Sequence, residues 1–468
     1  MKKLFIGIFV CTALWGSLFC EEITFEEIPH IMVDNSIEWE NLTLAREISL
    51  INIEKSKWQL KPDFYFTPLY KWCDGLGGSV GLTMGGSWWL PSDGTLSVKA
   101  TETIEFDDWK EPNLKKGPRV SFTYSQPVGV NGRFIDPSLY KKTKIMGTRS
   151  EDIRSKLTFL QKQNALLLNA VKMYSQIDAI TRGEVLKQRE LELKQIEFDF
   201  LQQKKEQGGI SGNDFWSKQM EIAQLEDLLL EISFKREEAT KSLCNILGVK
   251  NWSVPLIDPP TNVPVLEDDD YVSLLLEVNP ELRLLDLSVT DKAFLRDIKQ
   301  KDNAGKLSLG FSLNSSYNSE SKIPFADFGE DGIKPEISIG YSASVSSFAE
   351  SFIDSQKNKR EKQGDEVGFY AVLQNKETEL QQLLNKRRML KAKLNQILNN
   401  VEFLQKQVVR EEQMFKIQST TMLSVDWASL NYLSRVVDSH AAEWELIINR
   451  MEIACMIGED LSLFFDRR

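Results

Sequence analysis

The segment from Glu336 to Ser346, EISIGYSASVS, limits what this chain can fold into more than any other. Ile337, Ile339, Tyr341, Ala343 and Val345 alternate with Ser338, Gly340, Ser342, Ser344 and Ser346. Period 2 marks a strand with one apolar face and one small polar face. A half-buried strand of a soluble sheet carries the same pattern, and a single barrel strand gives a weak signal. Three further runs tip the balance. Leu307, Leu309, Phe311 and Leu313 alternate with Ser308, Gly310, Ser312 and Asn314. Val120, Phe122 and Tyr124 alternate with Ser121, Thr123 and Ser125, and Phe64 and Phe66 stand in a fourth run before Pro68. Each run adjoins a very long helical segment, and the chain opens on an export signal. The runs therefore predict a membrane β-barrel supplied in pieces.

The export signal is Met1-Lys2-Lys3 followed by apolar Leu4 to Phe19, a secretory signal peptide over residues 1–20. Cys20 stands at either plain cleavage or a lipidated first residue; Phe19 before it is a poor match to the small residue lipidation favours. No later stretch approaches 18 consecutive apolar residues, so no transmembrane helix is predicted. A closed barrel satisfies its backbone in lipid equally well. Cleavage removes Lys2 and Lys3 and no acid, so the net charge of -11 becomes -13. That balance argues against a nucleic-acid partner, which needs a basic footprint. Cys73, Cys244 and Cys455 are odd in number and far apart, so buried thiols are expected rather than disulfides. With His30 and His440 the only histidines, a histidine-built metal site is close to excluded. No glycine-rich phosphate loop or nucleophile elbow occurs, so no catalytic residue, metal or cofactor is expected.

In chain order, Glu21–Asn35 reads as an irregular lead and Ser36–Gln59 as a helix, with Leu42, Ala45, Ile48, Leu50 and Ile53 on its apolar side. Residues 71–117 read as a long extracellular loop carrying a hairpin, Ser79–Leu90 against Thr95–Phe106. Its Trp72, Trp88, Trp89 and Trp109 fit either an interfacial girdle or an aromatic loop. After a strand closed by Pro127, Asp136-Pro137 supplies a helix start, and no proline follows until beyond Gln207. About 70 residues at ~1.5 Å each span roughly 105 Å, which no globular soluble domain needs. A partner helix runs from Asn213 to Leu247, and Gly248 ends it. Residues 248–270, with four prolines and the run Glu267–Asp270, form a linker.

The second half replays the first. Val278-Asn279-Pro280-Glu281-Leu282 opens a short helix, as Glu40-Asn41-Leu42-Thr43-Leu44 does in the first half. Two strands follow, then a long helix from about Phe348 to Gln418 with a heptad at Leu390, Leu394, Ile397, Val401, Leu404 and Val408. The last helix repeats Leu430, Leu433, Val437, Ala441, Trp444, Ile448, Met451 and Cys455, which implies coiled-coil packing. The chain is thus read as two structural repeats, 21–247 and 271–468, each built as helix, strands, long helix, helix. Four strands cannot close on themselves, and lipid does not tolerate open edges, so copies must share one barrel. Two copies would give about 8 strands and a filled bore; three give about 12 and room for a lumen.

The duplicated layout, the strand end Ser125-Gln126-Pro127, the helix start Asn279-Pro280-Glu281-Leu282 and the helix end Leu247-Gly248 resemble the TolC-like outer-membrane efflux protein family. The resemblance covers essentially the whole mature chain, through motifs that are each short and degenerate. It implies a homotrimer in the outer membrane: an α+β protein with a 12-stranded barrel and a periplasmic α-helical tunnel. It also implies a periplasmic adaptor protein and an inner-membrane pump as partners, for efflux or type I secretion. A coiled-coil spacer without transport is the alternative, and it would not need lipid-facing alternation in four runs.

Two helix–helix turns complete the resemblance. Gly208, Gly209, Ile210 and Ser211 precede Asp214, in the family's pattern of glycine, hydroxyl and acid at intervals of three. Ser211 and Asp214 resemble a capping box, and a capped hairpin with no further role fits as well. In the second half the matching positions are Gln418, Thr421 and Ser424, so glutamine replaces the glycine and serine the acid. In the family, acids just past this turn project into the tunnel entrance. The resemblance therefore makes Asp426, Asp214 and Ser424 candidates for the periplasmic gate, against a plain helix-capping role for Asp426. Gly208, Gly209, Ile210, Ser211, Thr421, Met422 and Leu423 become candidate adaptor contacts.

Overall fold

The computed structural model describes residues 24–58, 61–73, 77–89, 95–106, 112–113, 119–127, 139–206, 212–250, 259, 270–302, 306–317, 328–342 and 345–465. The signal segment, Asp136-Pro137, the turn Gly208–Ser211 and nearly all of the 248–270 linker lie outside the described residues. Chain contacts divide the protein into two units: Met1–Ala45 with Leu157–Arg283 and Val372–Arg468, and Arg46–Lys156 with Leu284–Ala371.

The first unit is helical. A 3-10 turn at Phe25–Glu27 leads into α1 (Ile28–Asn35), and α2 (Ile37–Trp58) begins there. Most of α3 (Leu139–Glu206) and all of α4 (Gly212–Leu247) and α5 (Asp270–Val278) belong to it, with the start of α6 (Pro280–Asp302). The C-terminal part of α7 (Val345–Lys416) and all of α8 (Met422–Ile457) complete it. The lead expected to be irregular is therefore helical, and its reason is burial. Ile28 and Met32 are fully buried among Leu167, Val171, Leu243, Leu247 and Met451. Each such side chain contributes about 1.5–3 kcal/mol. Phe25 lies 5.5 Å from Trp444 and 4.8 Å from Phe465, ring to ring. Trp444 donates its indole N–H to Asp178 at 3.2 Å, and Arg182 holds the other side of that carboxylate. A second cluster joins Tyr271, Leu275 and Leu282 to Leu380, Leu384, Ile453 and Ile457.

Ion pairs lace the helices together: Arg236 with Glu184 at 2.7 Å, Lys194 with Glu221 at 2.7 Å, and Lys393 with Glu445 at 3.1 Å. The α7 heptad holds, since Leu390 is buried and Leu394, Ile397, Val401, Leu404 and Val408 are the covered positions among exposed neighbours. On α8 the seam is broader than the heptad predicted, with Ala442, Leu446, Ile447 and Ile453 buried as well and Leu433 exposed.

The second unit carries one antiparallel sheet. Its strands are β1 (Asp63–Cys73), β2 (Gly77–Trp89), β3 (Thr95–Phe106), β4 (Pro112–Asn113), β5 (Arg119–Pro127), β6 (Lys306–Tyr317) and β7 (Phe328–Ser342). The order is β1-β2-β3-β5-β6-β7, with the two-residue β4 beside β3. All four predicted runs supply strands of this sheet, but the Glu336–Ser346 run is a strand only as far as Ser342, and its Val345 and Ser346 open α7 instead. The expected hairpin is present too, with Ser79 opposite Glu105 and Trp89 opposite Thr95. It is not set apart in a loop, however. The stretch 71–117 supplies two long strands that enter the sheet between β1 and β5, so each chain carries six long strands where the periodic runs alone counted four. The glycines of β2 concealed its alternation.

Candidate functional site

Two regions carry chemistry, one in each unit. In the sheet, directly opposed residues of antiparallel strands share a face. One such row runs Phe64–Gly86–Val98–Phe122–Phe311–Ile337, and the next runs Phe66–Met84–Ala100–Val120–Leu313–Pro335. These rows are apolar, with Phe64, Phe66, Met84, Phe122, Phe311 and Ile337 exposed and Glu102 interrupting the face on β3, and Phe64 packs edge-on to Trp88 at 5.5 Å. An exposed apolar patch of this extent marks an interaction surface. The opposite face is mostly small and polar, with Tyr65 and Leu69 as large side chains on its β1 edge. Thr83 and Thr101 hydrogen-bond across strands, and Ser312 and Asn314 both donate to Glu336, with Arg119 at 3.9 Å from the same carboxylate. Gly85 leaves room on that face for the ring of Tyr65. Among the described residues no helix is long and apolar enough to cross a membrane.

The second region is the turn from α7 to α8. The α7 helix ends in a Schellman motif: the Gln418 N–H donates to the Phe415 carbonyl and the Ser419 N–H to that of Met414, both at 2.9 Å. The motif needs a left-handed residue, and Gln418 supplies it at φ 61°. Thr421 then caps α8 by accepting from the Ser424 N–H, and the two hydroxyls lie 3.1 Å apart. The cap is thus Thr421, and the capping role considered for Asp426 does not apply. The Asp426 carboxylate instead pairs with Arg189 of α3 at 3.4 Å, while the neighbouring Trp427 donates to Glu197 at 2.7 Å. Sequence reading missed both partners, because neither contact has a local signature.

Beside this turn lies a groove of about 670 Å³ lined by Ile196, Phe200, Leu201, Met422 and Leu423, with Lys204, Lys218, Glu197, Thr421 and Asp426 at its polar margin. Phe200, Met422 and the adjacent Ile417 are exposed. Of the predicted residues, Thr421, Met422, Leu423, Ser424 and Asp426 thus come together. Asp214 sits exposed in the first turn of α4. Gly208, Gly209, Ile210 and Ser211 lie outside the described residues. Among the described residues no cluster of metal-ligating side chains occurs.

No family model matches the sequence, and no curated protein matches it. Solved structures do match its fold. CusC superposes with a TM-score of 0.61 at 11% identity, covering 94% of this chain and 93% of that one. The outer membrane protein VceC of Vibrio cholerae gives 0.61 at 11% identity over 93% and 96%. The open-state MtrE outer membrane channel of Neisseria gonorrhoeae gives 0.60 at 11% over 93% and 89%. The chain therefore shares the fold of these solved outer-membrane proteins and channels.

Proposed function

We propose that this protein is an outer-membrane channel, the passive exit duct of a tripartite efflux or type I secretion system, acting as a homotrimer. The sheet carries this reading. It has one largely apolar, exposed face suited to lipid, one largely polar face suited to a water-filled lumen, and two unpaired edge strands. Open edges are not tolerated in lipid, so copies must pair β1 with β7. The likeness in fold to solved outer-membrane channels supports the same reading. The helical unit then lies in the periplasm, where paired long helices form the tunnel. A coupled inner-membrane pump supplies the energy.

The α7–α8 turn serves as the periplasmic mouth. Asp426, with Ser424 and Asp214, forms its polar gate; the groove of Phe200, Met422 and Leu423 receives the apolar contacts of a periplasmic adaptor, together with Thr421 and the Gly208–Ser211 turn. Planar-bilayer recording of the purified full-length protein tests the channel reading. Discrete, long-lived conductance steps from a trimeric species are expected; a protein that inserts into no bilayer refutes it. A photo-crosslinker at Met422 that captures no periplasmic protein in intact cells refutes the adaptor assignment alone.

A further inference from the structure

We infer that the β2–β3 hairpin is a wall segment of the membrane barrel, so that each chain supplies six membrane-crossing strands and a three-chain pore contains eighteen. The inference rests on the channel reading above and goes beyond it in the width and make-up of the pore.

Four observations carry it. First, the hairpin is wired into the sheet on both sides. β1 pairs with β2 along its whole length, from Asp63–Ser87 to Cys73–Gly77, and β3 pairs with β5 from Thr95–Ser125 to Thr101–Arg119. A hairpin outside the membrane would leave β1 to pair with β5 directly. Second, β2 has 13 residues and β3 has 12, and a tilted strand needs about 9–11 to cross the hydrocarbon.

Third, the two faces continue through the insertion with a single interruption. Val80, Leu82, Met84 and Trp88 lie opposite Ile104, Glu102, Ala100 and Leu96 on the apolar side. Ser79, Thr83 and Ser87 lie opposite Glu105, Thr101 and Ser97 on the polar side. A hairpin bathed in water on both faces needs no such alternation. Glu102 is the one acid on the apolar side of the hairpin, and an acid there costs less than Lys or Arg at the same depth.

Fourth, the open edges lie at β1 and β7, not at the hairpin. Phe64 on β1 is 70% exposed and Ile337 on β7 is 75% exposed, whereas Phe122 and Phe311 in the middle of the same row are 38% and 39% exposed. The occupant of each edge is a second copy of this chain. Six alternating strands leave β1 and β7 running in opposite directions, so β1 of one copy meets β7 of the next antiparallel. An insertion of two strands preserves that parity; one strand would destroy it. Barrel diameter grows roughly linearly with strand number, so eighteen strands make a bore roughly 1.5 times as wide as twelve.

The test places one cysteine at a time on the full-length protein in a Cys73→Ser background, at Met84, Val98, Thr83 or Ser97. Each is labelled with a fluorophore and reconstituted in vesicles holding nitroxide-labelled lipid. Strong quenching at Met84 and Val98 with at least fivefold weaker quenching at Thr83 and Ser97 is expected. Electron cryo-microscopy of the unlabelled trimer in nanodiscs is expected to show eighteen strands. Equal, weak quenching at all four positions, or a twelve-stranded barrel with the hairpin projecting from it, overturns the inference while leaving the channel reading intact. An unlabelled protein without bilayer conductance removes the channel reading itself, and the inference with it.

Discussion

The hydroxyl of Ser36 donates to the backbone carbonyl of Ile246 at 2.8 Å, tying the start of α2 to the end of α4. The second half of the chain makes the same tie, with the Asn279 amide donating to the carbonyl of Met456. In each case the tying residue also caps the helix it opens. Ser36 accepts from the Trp39 N–H at 3.5 Å and Asn279 from the Leu282 N–H at 2.8 Å. Each tie sits two residues before a left-handed glycine, Gly248 at φ 75° and Gly458 at φ 80°. The duplication is thus preserved at the level of single hydrogen bonds.

These glycines are not interchangeable with alanine. A Cβ on Gly248 would stand 1.9 Å from the carbonyl oxygen of Asn35, and one on Gly458 would stand 2.7 Å from that of Val278. Backbone sits at both contacts, so neither neighbour can rotate away. The left-handed conformation alone costs an L-residue about 1–2 kcal/mol, and the clash adds to it. Gly248→Ala is expected to lose more than about 2 kcal/mol and to be the worse of the two. Thermal inactivation rates of the purified protein check the order.

The turn between α7 and α8 offers the opposite case. Gln418 holds a left-handed conformation where the two other Schellman ends have glycine. Its side chain is exposed, so nothing in the packing requires it. Gln418→Gly is expected to stabilise this turn by about 1 kcal/mol. Slower local amide exchange at Ser419 and Ile417 is the readout. A faster rate would show that the side chain, not the backbone, decides this position.

Much of this was legible in the sequence, and for physical reasons. Period-2 runs such as Leu307–Leu313 and the α7 heptad record burial directly, so strands and coiled coil could be read off. The equivalence of the two halves was legible only in outline. The sequence sets Asn279 beside Asn41, but its structural counterpart is Ser36, because Ser-Ile-Glu-Trp and Asn-Pro-Glu-Leu share a cap and a buried residue three positions on rather than the same cap letter. The place of β2 in the sheet was hidden because Gly81, Gly85 and Gly86 blunt its pattern. The Asp426–Arg189 pair joins residues 237 positions apart, and no local pattern announces such a contact.

That pair gives the gate proposal a sharp test. Arg189 partly neutralises Asp426, and both are open enough to solvent that the pair contributes about 0.2–1 kcal/mol and weakens with salt. If Asp426 lines the mouth, Arg189→Gln should unmask its charge, raising cation selectivity and divalent block about two- to fivefold. Asp426→Asn should lower both below the wild type. Bilayer recordings with potassium and divalent gradients separate the outcomes. Unchanged selectivity in both variants would restrict the pair to helix packing.

Burial pushes the Cys455 thiol up to about 12, and the nearby Lys172 offsets only part of that. At pH 8 the group is therefore a protonated thiol, a poor nucleophile as well as a shielded one. Iodoacetamide is expected to leave Cys455 unmodified in the native protein and to label it once guanidinium unfolds the chain. Peptide mass mapping reads this out, and native labelling within minutes would contradict the packing of α8.

Glu452 sets the expected response to acid. Burial alone would raise its pKa, but Lys172 of α3 at 2.7 Å and Lys386 of α7 at 3.3 Å more than reverse that, and the carboxyl titrates below its ordinary 4.5. A depressed folded-state pKa stabilises the protein fully above the unfolded value and stops doing so as pH falls through the folded one. Glu452 joins three long helices, so protonation loosens α8 from both neighbours together. Glu452→Gln keeps the shape and removes the charge, and at pH 7 it should cost about 1–2 kcal/mol. The gap between variant and wild type should persist down to pH 4.5 and close at more acidic values, where the wild type carries a neutral carboxyl as well. Thermal unfolding followed by circular dichroism across that range checks it. A gap that stays constant to the lowest pH would assign the effect to packing rather than to charge.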